Sequence, residues 1–445
     1  MLLALGGCSR TDTPPRNLLL LTVDTLRADH LSTYGYPLPT SPGIDRLADS
    51  GVVFENNFAQ RAGTWPSLTS IFTASYPRTH GVRSNGDMLA AGIETLTSRL
   101  RAAGFHTQAF ITNMLFGQHP GFDQIVGFRD TDQSLRDEKA VTNAIRWLGD
   151  RDDEPFFLWL HLMGPHDPYE PADRYREQFA TGYTGPLTGA HAPLKSIHAQ
   201  RLKLDRAEID HVRSLYDAEI AEVDDRIERV LDALDELDLR DDTLVAFTSD
   251  HGEELYGHYA YWFHSWSIYD AALAVPLVIA SPGFLPAGRR LEGVIESIDI
   301  APTLLDTLGV PIPASFEGKS LLPLIRGEGG EPSHTGEAFA ELGPYIQSIR
   351  TDRWHYVYNP RNLSSPAARA KDTGREGVFE IAREELYDVR EDPEQLRNVA
   401  DLHPAVAAEL RNEVLKWRGP AANPYRAQDL SPEVREELES LGYLH

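Results

Sequence analysis

The sequence predicts an α/β fold: a three-layer sandwich with a large, mostly parallel (mixed) central sheet, plus a smaller C-terminal α+β subdomain. Three observations carry this. Short apolar runs alternate with amphipathic helical patterns as far as about Val310. Those runs are continuously apolar, as strands buried on both faces must be. After Gly318 the pattern changes to segments that alternate like antiparallel strands, followed by one helix. No internal repeat is visible, which excludes a solenoid or propeller.

Asn17–Val23 (NLLLLTV) is the first strand. Phe105–Ile111 follows a helical Glu94–Ala103 and a Gly104 stop. Phe156–Leu162 (FFLWLHL) follows a helical Asp137–Leu148. Thr243–Ser249 (TLVAFTS) follows a long, charged, amphipathic stretch from His211 to Leu237, and Pro276–Ala280 (PLVIA) is short and apolar. Residues 165–205 are rich in Pro, Gly, Tyr and His without periodicity and are expected to form a long loop at the sheet edge. Further on, Ile346–Tyr358 reads as a hairpin around an Arg-Thr-Asp-Arg turn, Glu385–Val389 as a strand and Pro404–Trp417 as a helix.

Composition narrows the function. The chain has 445 residues, of which 41% are hydrophobic and 24% charged, as expected of a packed globular protein. Its formal charge of −25 should repel nucleic acid and anionic lipid, so neither is expected as a bulk partner. One cysteine, Cys8, excludes disulfides and thiolate metal sites. Its setting is informative: Met-Leu-Leu-Ala-Leu-Gly-Gly-Cys resembles the end of a bacterial lipoprotein signal, with Leu5-Gly6-Gly7-Cys8 as cleavage box but without a basic n-region. Residues 1–16 are therefore expected to be a signal and tether, with a lipid anchor at Cys8. The protein is expected in the bacterial envelope as a periplasmic, membrane-tethered lipoprotein. No other run reaches the ~18 apolar residues of a spanning helix, so no transmembrane span is expected in the mature chain.

Four groups of residues carry chemistry. Asp24 stands one residue after a buried strand, and Ser249-Asp250-His251-Gly252-Glu253 follows another. Ligands gather outside the C-terminal ends of parallel strands. A lone Asp there would usually cap a helix. Two Asp and a His at two strand ends instead suit a divalent cation. Thr64, in Gly63-Thr64-Trp65-Pro66-Ser67, resembles an N-cap, with Pro66 in the first helical turn. A hydroxyl there, beside a metal and where a helix favours anions, is a candidate nucleophile. His161 and His166 flank the end of the FFLWLHL strand, while His258 and His264 follow His251 with the aromatic stretch Tyr259–Phe263 between them.

Together these motifs resemble the sulfatase family of the alkaline phosphatase superfamily, over nearly the whole chain. The matching segments are Leu21–Asp29, Tyr34-Gly35-Tyr36, Thr40–Asp45, Thr73–Asn85, His161–Tyr169, Ser249–Glu253, Ser297–Leu305 and Glu385–Val389. The departures are specific. Sulfatases carry Cys or Ser at the Thr64 position, converted to formylglycine, followed by Pro-Ser-Arg. Here Thr64 cannot be converted, and Leu68 replaces the supporting Arg. Thr25 replaces a second Asp. No Lys lies between Lys203 and Lys319, and His264 stands near the place of the usual Lys. A metal-bound Thr nucleophile resembles that of nucleotide pyrophosphatases/phosphodiesterases, lipoteichoic acid synthases and phosphoethanolamine transferases. The histidine spacing is particularly similar to the last.

The resemblance implies a catalytic α/β domain over 17–318 and an α+β subdomain over 319–445. It implies one divalent ion (Zn, Mn, Ca or Mg) on Asp24, Asp250, His251 and Thr64, with room for a second at His161, His166 and His264. Thr64, His166 and His264 are the expected catalytic residues, and His161, Asn85 and His258 the expected substrate contacts. The activity implied is hydrolysis of sulfate- or phosphate-type esters of small molecules or glycans. Phosphate and phosphonate esters are favoured because formylglycine is excluded. The alternatives are an envelope phosphoethanolamine- or phosphoglycerol-type transferase and an inactive glycan-binding member.

Overall fold

The computed structural model describes residues 13–113, 121–128, 130, 132–200, 203–258, 262–328, 336–343, 345–360 and 381–419. The tether with Cys8, and Tyr259 to Tyr261 of the aromatic stretch, lie outside them. Eight strands build the main sheet: β1 (Asn17–Val23), β2 (Val52–Phe58), β3 (His106–Ile111), β4 (Gln124–Gly127), β5 (Phe156–Leu162), β6 (Thr243–Ser249), β7 (Ala274–Ala280) and β8 (Arg289–Glu296). Their order is β4-β3-β5-β1-β6-β7-β2-β8. Only β7 runs antiparallel to its neighbours, β6 and β2.

The centre of this sheet is apolar on both faces because both faces are covered. Along β1, Leu19, Leu21 and Val23 enter the core under the helices Gln133–Asp150 and Arg206–Glu236, while Leu18 and Leu20 enter the core under the helices Thr64–Thr73 and Ile300–Thr307. Each leucine so buried contributes roughly 1.5–3 kcal/mol of hydrophobic stabilisation. A second sheet of four antiparallel strands follows: β9 (Glu337–Leu342), β10 (Ile346–Thr351), β11 (Trp354–Tyr358) and β12 (Glu384–Asp388), in the order β12-β11-β10-β9. The helix Pro404–Arg418 packs on one face of it through Ala407, Leu410 and Val414. The other face meets Phe58, Tyr269 and Val294 of the main body.

The α/β architecture, the mixed central sheet and the smaller C-terminal sheet match expectation. Two local expectations do not hold. Residues 165–205 contain the helices Asp173–Phe179 and His191–Gln200, the first held by one buried residue, Tyr175, on the long helix Arg206–Glu236. A single anchoring side chain leaves no readable periodicity. Strands β2, β4, β8 and β9 were not foreseen. β2 carries Glu55-Asn56-Asn57 inside an irregular register, and β8 (RRLEGVIE) is an edge strand with one exposed face. No helix among the described residues is long and apolar enough to cross a membrane.

Candidate functional site

Strands β5, β1 and β6 are adjacent, and their C-terminal ends lie level: Thr22 is opposite His161, and Val23 is opposite Ser249. This register brings Asp24, His161, Asp250 and His251 to one place, all fully buried. Asp24, Asp250 and His251 each offer an atom within 4.8 Å of the others, the only such group of three among the described residues. The His251 Nε2 atom lies 3.4 Å from Asp250 Oδ2 and 3.8 Å from Asp24 Oδ1. Those two carboxylate oxygens have no hydrogen-bond partner among the described residues. Two buried oxygens left without donors, facing an imidazole nitrogen, are what a divalent cation would satisfy, so the donor set fits one.

The surrounding backbone is built to hold these groups. Thr25 adopts φ 57°, a costly conformation for a β-branched residue. It is fixed by Thr25 N–H donating to Asp250 Oδ1 (3.2 Å) and by Tyr216 Oη donating to Thr25 O (2.8 Å). Ser249 Oγ accepts from Leu26 N and donates to Val23 O, tying β6 to the turn after β1. At Gly252 an added Cβ would lie 2.2 Å from Ala271 O, so only glycine lets the chain turn after His251.

Thr64 opens the helix Thr64–Thr73 as its first residue, with Gly63 as the cap. Its hydroxyl therefore does not cap the helix, contrary to the N-cap position expected from the sequence. It lies 3.5 Å from Asp24 Oδ2 and 3.4 Å from His251 Nε2. The cap acceptor comes from elsewhere: Asn85 Oδ1 accepts from Trp65 N at 3.0 Å. Ser67 Oγ pins the helix by donating to Asp250 O.

His161 lies 3.6 Å from Asp24 Oδ2 and is held by Thr22 Oγ1 at 2.8 Å. The His264 ring centroid is 4.3 Å from that of His251 and 5.3 Å from that of His166. Thus His161, His166, His251 and His264 share one site, but the first, second and fourth form no separate metal-ligand group at close spacing among the described residues. His258 departs from expectation. Its ring stacks on Tyr269 at 3.6 Å, while Nδ1 meets Glu254 Oε1 and Nε2 meets Gln395 O. The chain has turned by this point, and His258 joins the main body to the segment after β12 instead of reaching substrate.

Electrostatics follow from burial. Burial alone would raise Asp24, but the hydrogen bond with His161 and the charges of His166 and His251 hold it well below the usual carboxylate range. Burial and the Asp24 charge push Asp250 well up. Burial and His264 lower His251 to about 3, and burial and His166 lower His264 to about 4. Burial opposes the charged form of His166 too, yet Asp167, Asp24 and Glu253 outweigh it and raise its pKa. Two residues that touch the site escaped the sequence. Asn113 donates to Asp24 Oδ2 at 3.0 Å, and Glu253 Oε1 lies 3.2 Å from His264 Nδ1. Asn113 stands just after β3, the same signal that revealed Asp24.

Residues 16–310, more than half of the chain, match the Sulfatase family model. The chain belongs to the sulfatase family. As a member it is an ester hydrolase of that family, and its buried Asp24–Asp250–His251 group stands where a metal-dependent family needs ligands. An N-acetylglucosamine-6-O-sulfatase of Bacteroides thetaiotaomicron is 23% identical over 98% of this chain and 91% of its own length. A multifunctional alkaline phosphatase superfamily protein of Trinickia caryophylli is 28% identical over 91% and 95%. The phosphonate monoester hydrolase of Agrobacterium radiobacter superposes with a TM-score of 0.73 at 25% identity, over 92% of this chain and 96% of that one.

Proposed function

We propose that the protein hydrolyses phosphate, phosphonate or sulfate esters of small molecules or glycans with Thr64 Oγ1 as nucleophile, phosphorus esters being favoured. One observation carries this reading: the Thr64 hydroxyl lies within 3.5 Å of both Asp24 and His251 at a helix N-terminus. A divalent cation on Asp24, Asp250 and His251 would supply Lewis acidity, easing loss of the hydroxyl proton and drawing in the anionic ester. Thr64 Oγ1 then forms a bond to phosphorus or sulfur as the bond to the leaving oxygen breaks. His166, the least buried of the site histidines, donates the proton that the leaving oxygen takes up. His264 and the helix N-terminus face the equatorial oxygens. Water then cleaves the threonyl ester and restores Thr64. Phosphorus is favoured because threonine cannot yield formylglycine and Leu68 stands in the place of the supporting Arg; the similar proteins include both sulfatases and a phosphonate monoester hydrolase.

The test is metal analysis of the purified protein with a panel of aryl sulfate, phosphate monoester, diester and phosphonate substrates, with and without an acceptor alcohol. Thr64→Ala should lose turnover by on the order of 10³-fold or more while keeping its metal. Near wild-type rates in that variant would remove Thr64 from the mechanism, and transfer to the alcohol in preference to water would make the protein a transferase. Thr64→Cys beside a maturation enzyme should stay unconverted by peptide mass spectrometry, and efficient conversion would show that Leu68 matters little. The tether belongs to the same proposal: labelled fatty acid should enter the protein at Cys8 when it is expressed behind a basic n-region, and Cys8→Ser should abolish incorporation. Equal labelling of both forms would refute the anchor.

A further inference from the structure

The loop Met163–Ala172 leaves β5 and carries His166 into the site. Its backbone hangs from buried carboxylates on two helices that lie behind it. Asp137, 1% exposed, accepts from Met163 N at 2.9 Å and Gly164 N at 3.0 Å. Glu219, 7% exposed, accepts from Glu170 N at 2.7 Å through Oε1. Glu222 accepts from Ala172 N at 2.9 Å, and its other oxygen is held by Ser134 Oγ and Arg226. Gln133 Nε2 donates to His166 O at 2.9 Å. A cavity of ≈ 310 Å³ lies between the loop and these helices, bordered by Asp137, Gly164, Pro168, Glu219 and Glu222.

This arrangement is costly for a mere loop support. Of the three buried carboxyl groups, Glu222 alone forms an ion pair with Arg226 among the described residues. Glu219 has no ion pair within 4.0 Å among the described residues, and its Oε2 atom has no hydrogen-bond partner there. Burial pushes the Glu219 carboxyl well up, yet its Oε1 still accepts from Glu170 N at 2.7 Å, and displacement of a reacting group by about 1 Å costs on the order of 10²-fold in rate. His166 Nδ1 is itself turned inward onto Asp167 O at 2.7 Å, so the backbone of this loop fixes where Nε2 points. We propose that Glu219, with Asp137 and Glu222, is a positioning residue for the reaction: by holding the backbone of Met163–Ala172 it aims the His166 imidazole at the leaving oxygen of the bound ester. This rests on the reading of His166 as the leaving-group proton donor.

The experiment compares two esters of one phosphonic acid: a 4-nitrophenyl ester, whose leaving group departs without a proton, and an alkyl ester, whose leaving group needs one. Glu219→Ala should lower kcat for the alkyl ester by about 10–100-fold with KM nearly unchanged, and for the nitrophenyl ester by no more than about threefold. Glu219→Gln keeps the Oε1 acceptor and should restore most of the alkyl rate. Glu219→Asp, with a shorter reach, should show the same split more weakly and serves if the alanine variant does not fold. In a His166→Ala background, Glu219→Ala should cost nothing further. Equal losses on the two esters, or additive losses with His166→Ala, would overturn the assignment. Hydrogen exchange of Met163–Ala172 separates this from the hydrolase reading: Glu219→Ala should speed exchange of that segment by about tenfold or more. Unchanged protection would overturn the positioning role whatever the turnover, whereas fast exchange in a protein that hydrolyses no ester would count against the hydrolase reading alone.

Discussion

The two sheets use opposite designs. In the eight-stranded sheet the central strands β1, β5 and β6 are parallel and buried along their whole length, and the Asp24–Asp250–His251 group sits just past the C-terminal ends of β1 and β6. In the four-stranded sheet the strands are antiparallel and short, and no such group forms among the described residues. A parallel arrangement points all strand ends one way, so polar groups that cannot be buried within the sheet collect at one rim. An antiparallel sheet divides its ends between two rims. It covers and braces, as Glu296 illustrates: one oxygen accepts from Phe339 N of β9 and the other from Tyr76 Oη beside the helix Thr64–Thr73.

The sharpest way to break this contrast is at the rim. Asp250→Ala should abolish turnover, by on the order of 10³-fold or more, and remove bound metal. Ile349→Ala, at a fully buried position of β10, should leave kcat within about threefold. Comparable loss in both would show that the small sheet takes part in the chemistry. Stability should not separate them so cleanly. Leu20→Ala in β1 and Ile349→Ala should each cost roughly 2–5 kcal/mol in denaturant titration, because each leaves a cavity at a site with 0% exposure. Only Leu20→Ala should also weaken metal binding. Metal at about 100 times its dissociation constant should stabilise the wild type by roughly 2.7 kcal/mol, an increment that a chelator removes and that Asp250→Ala never shows.

The smallest effect concerns the junction of the two sheets. Burial and the neighbouring Asp299 push the Glu296 carboxyl up to about 8. The folded pKa lies above the unfolded one, so the contribution of the neutral carboxyl is fully present below about pH 4.5 and is lost as pH rises through about 8. Glu296→Gln should flatten that part of the stability profile measured by thermal unfolding between pH 5 and 9. A profile of unchanged slope would mean that the junction does not titrate there.

The same contrast explains what could be read from the chain. NLLLLTV, FFLWLHL and TLVAFTS announce themselves because burial on both faces permits no polar interruption, and Asp24 and Asp250-His251 stand out against them. β2 and β8 pair with each other at the sheet's margin, where asparagine, glutamate and arginine fit the exposed face, so period and composition say little. The long helix Arg206–Glu236 reads in sequence as a charged, amphipathic stretch. Yet Asp217, Glu219, Glu222 and Asp224 are buried, accepting hydrogen bonds from Tyr36, Glu170, Ala172, Gly43 and Ile44. A carboxylate that caps someone else's backbone has the same spelling as one that faces water. His258 was misplaced for the converse reason: three residues of sequence neighbourhood cannot tell a ring stacked on Tyr269 from one aimed at a substrate.

The hydrogen bond from Thr25 N to Asp250 joins residues 225 apart. During synthesis, Asp24 and Thr64 emerge long before the strand that completes their surroundings. A nascent chain that has not yet reached Thr243 presents β1 with one open edge, an adhesive template for other strands and no place for a cation. A cation site on Asp24, Asp250 and His251 is therefore complete only after β6 has closed the centre of the sheet against β1.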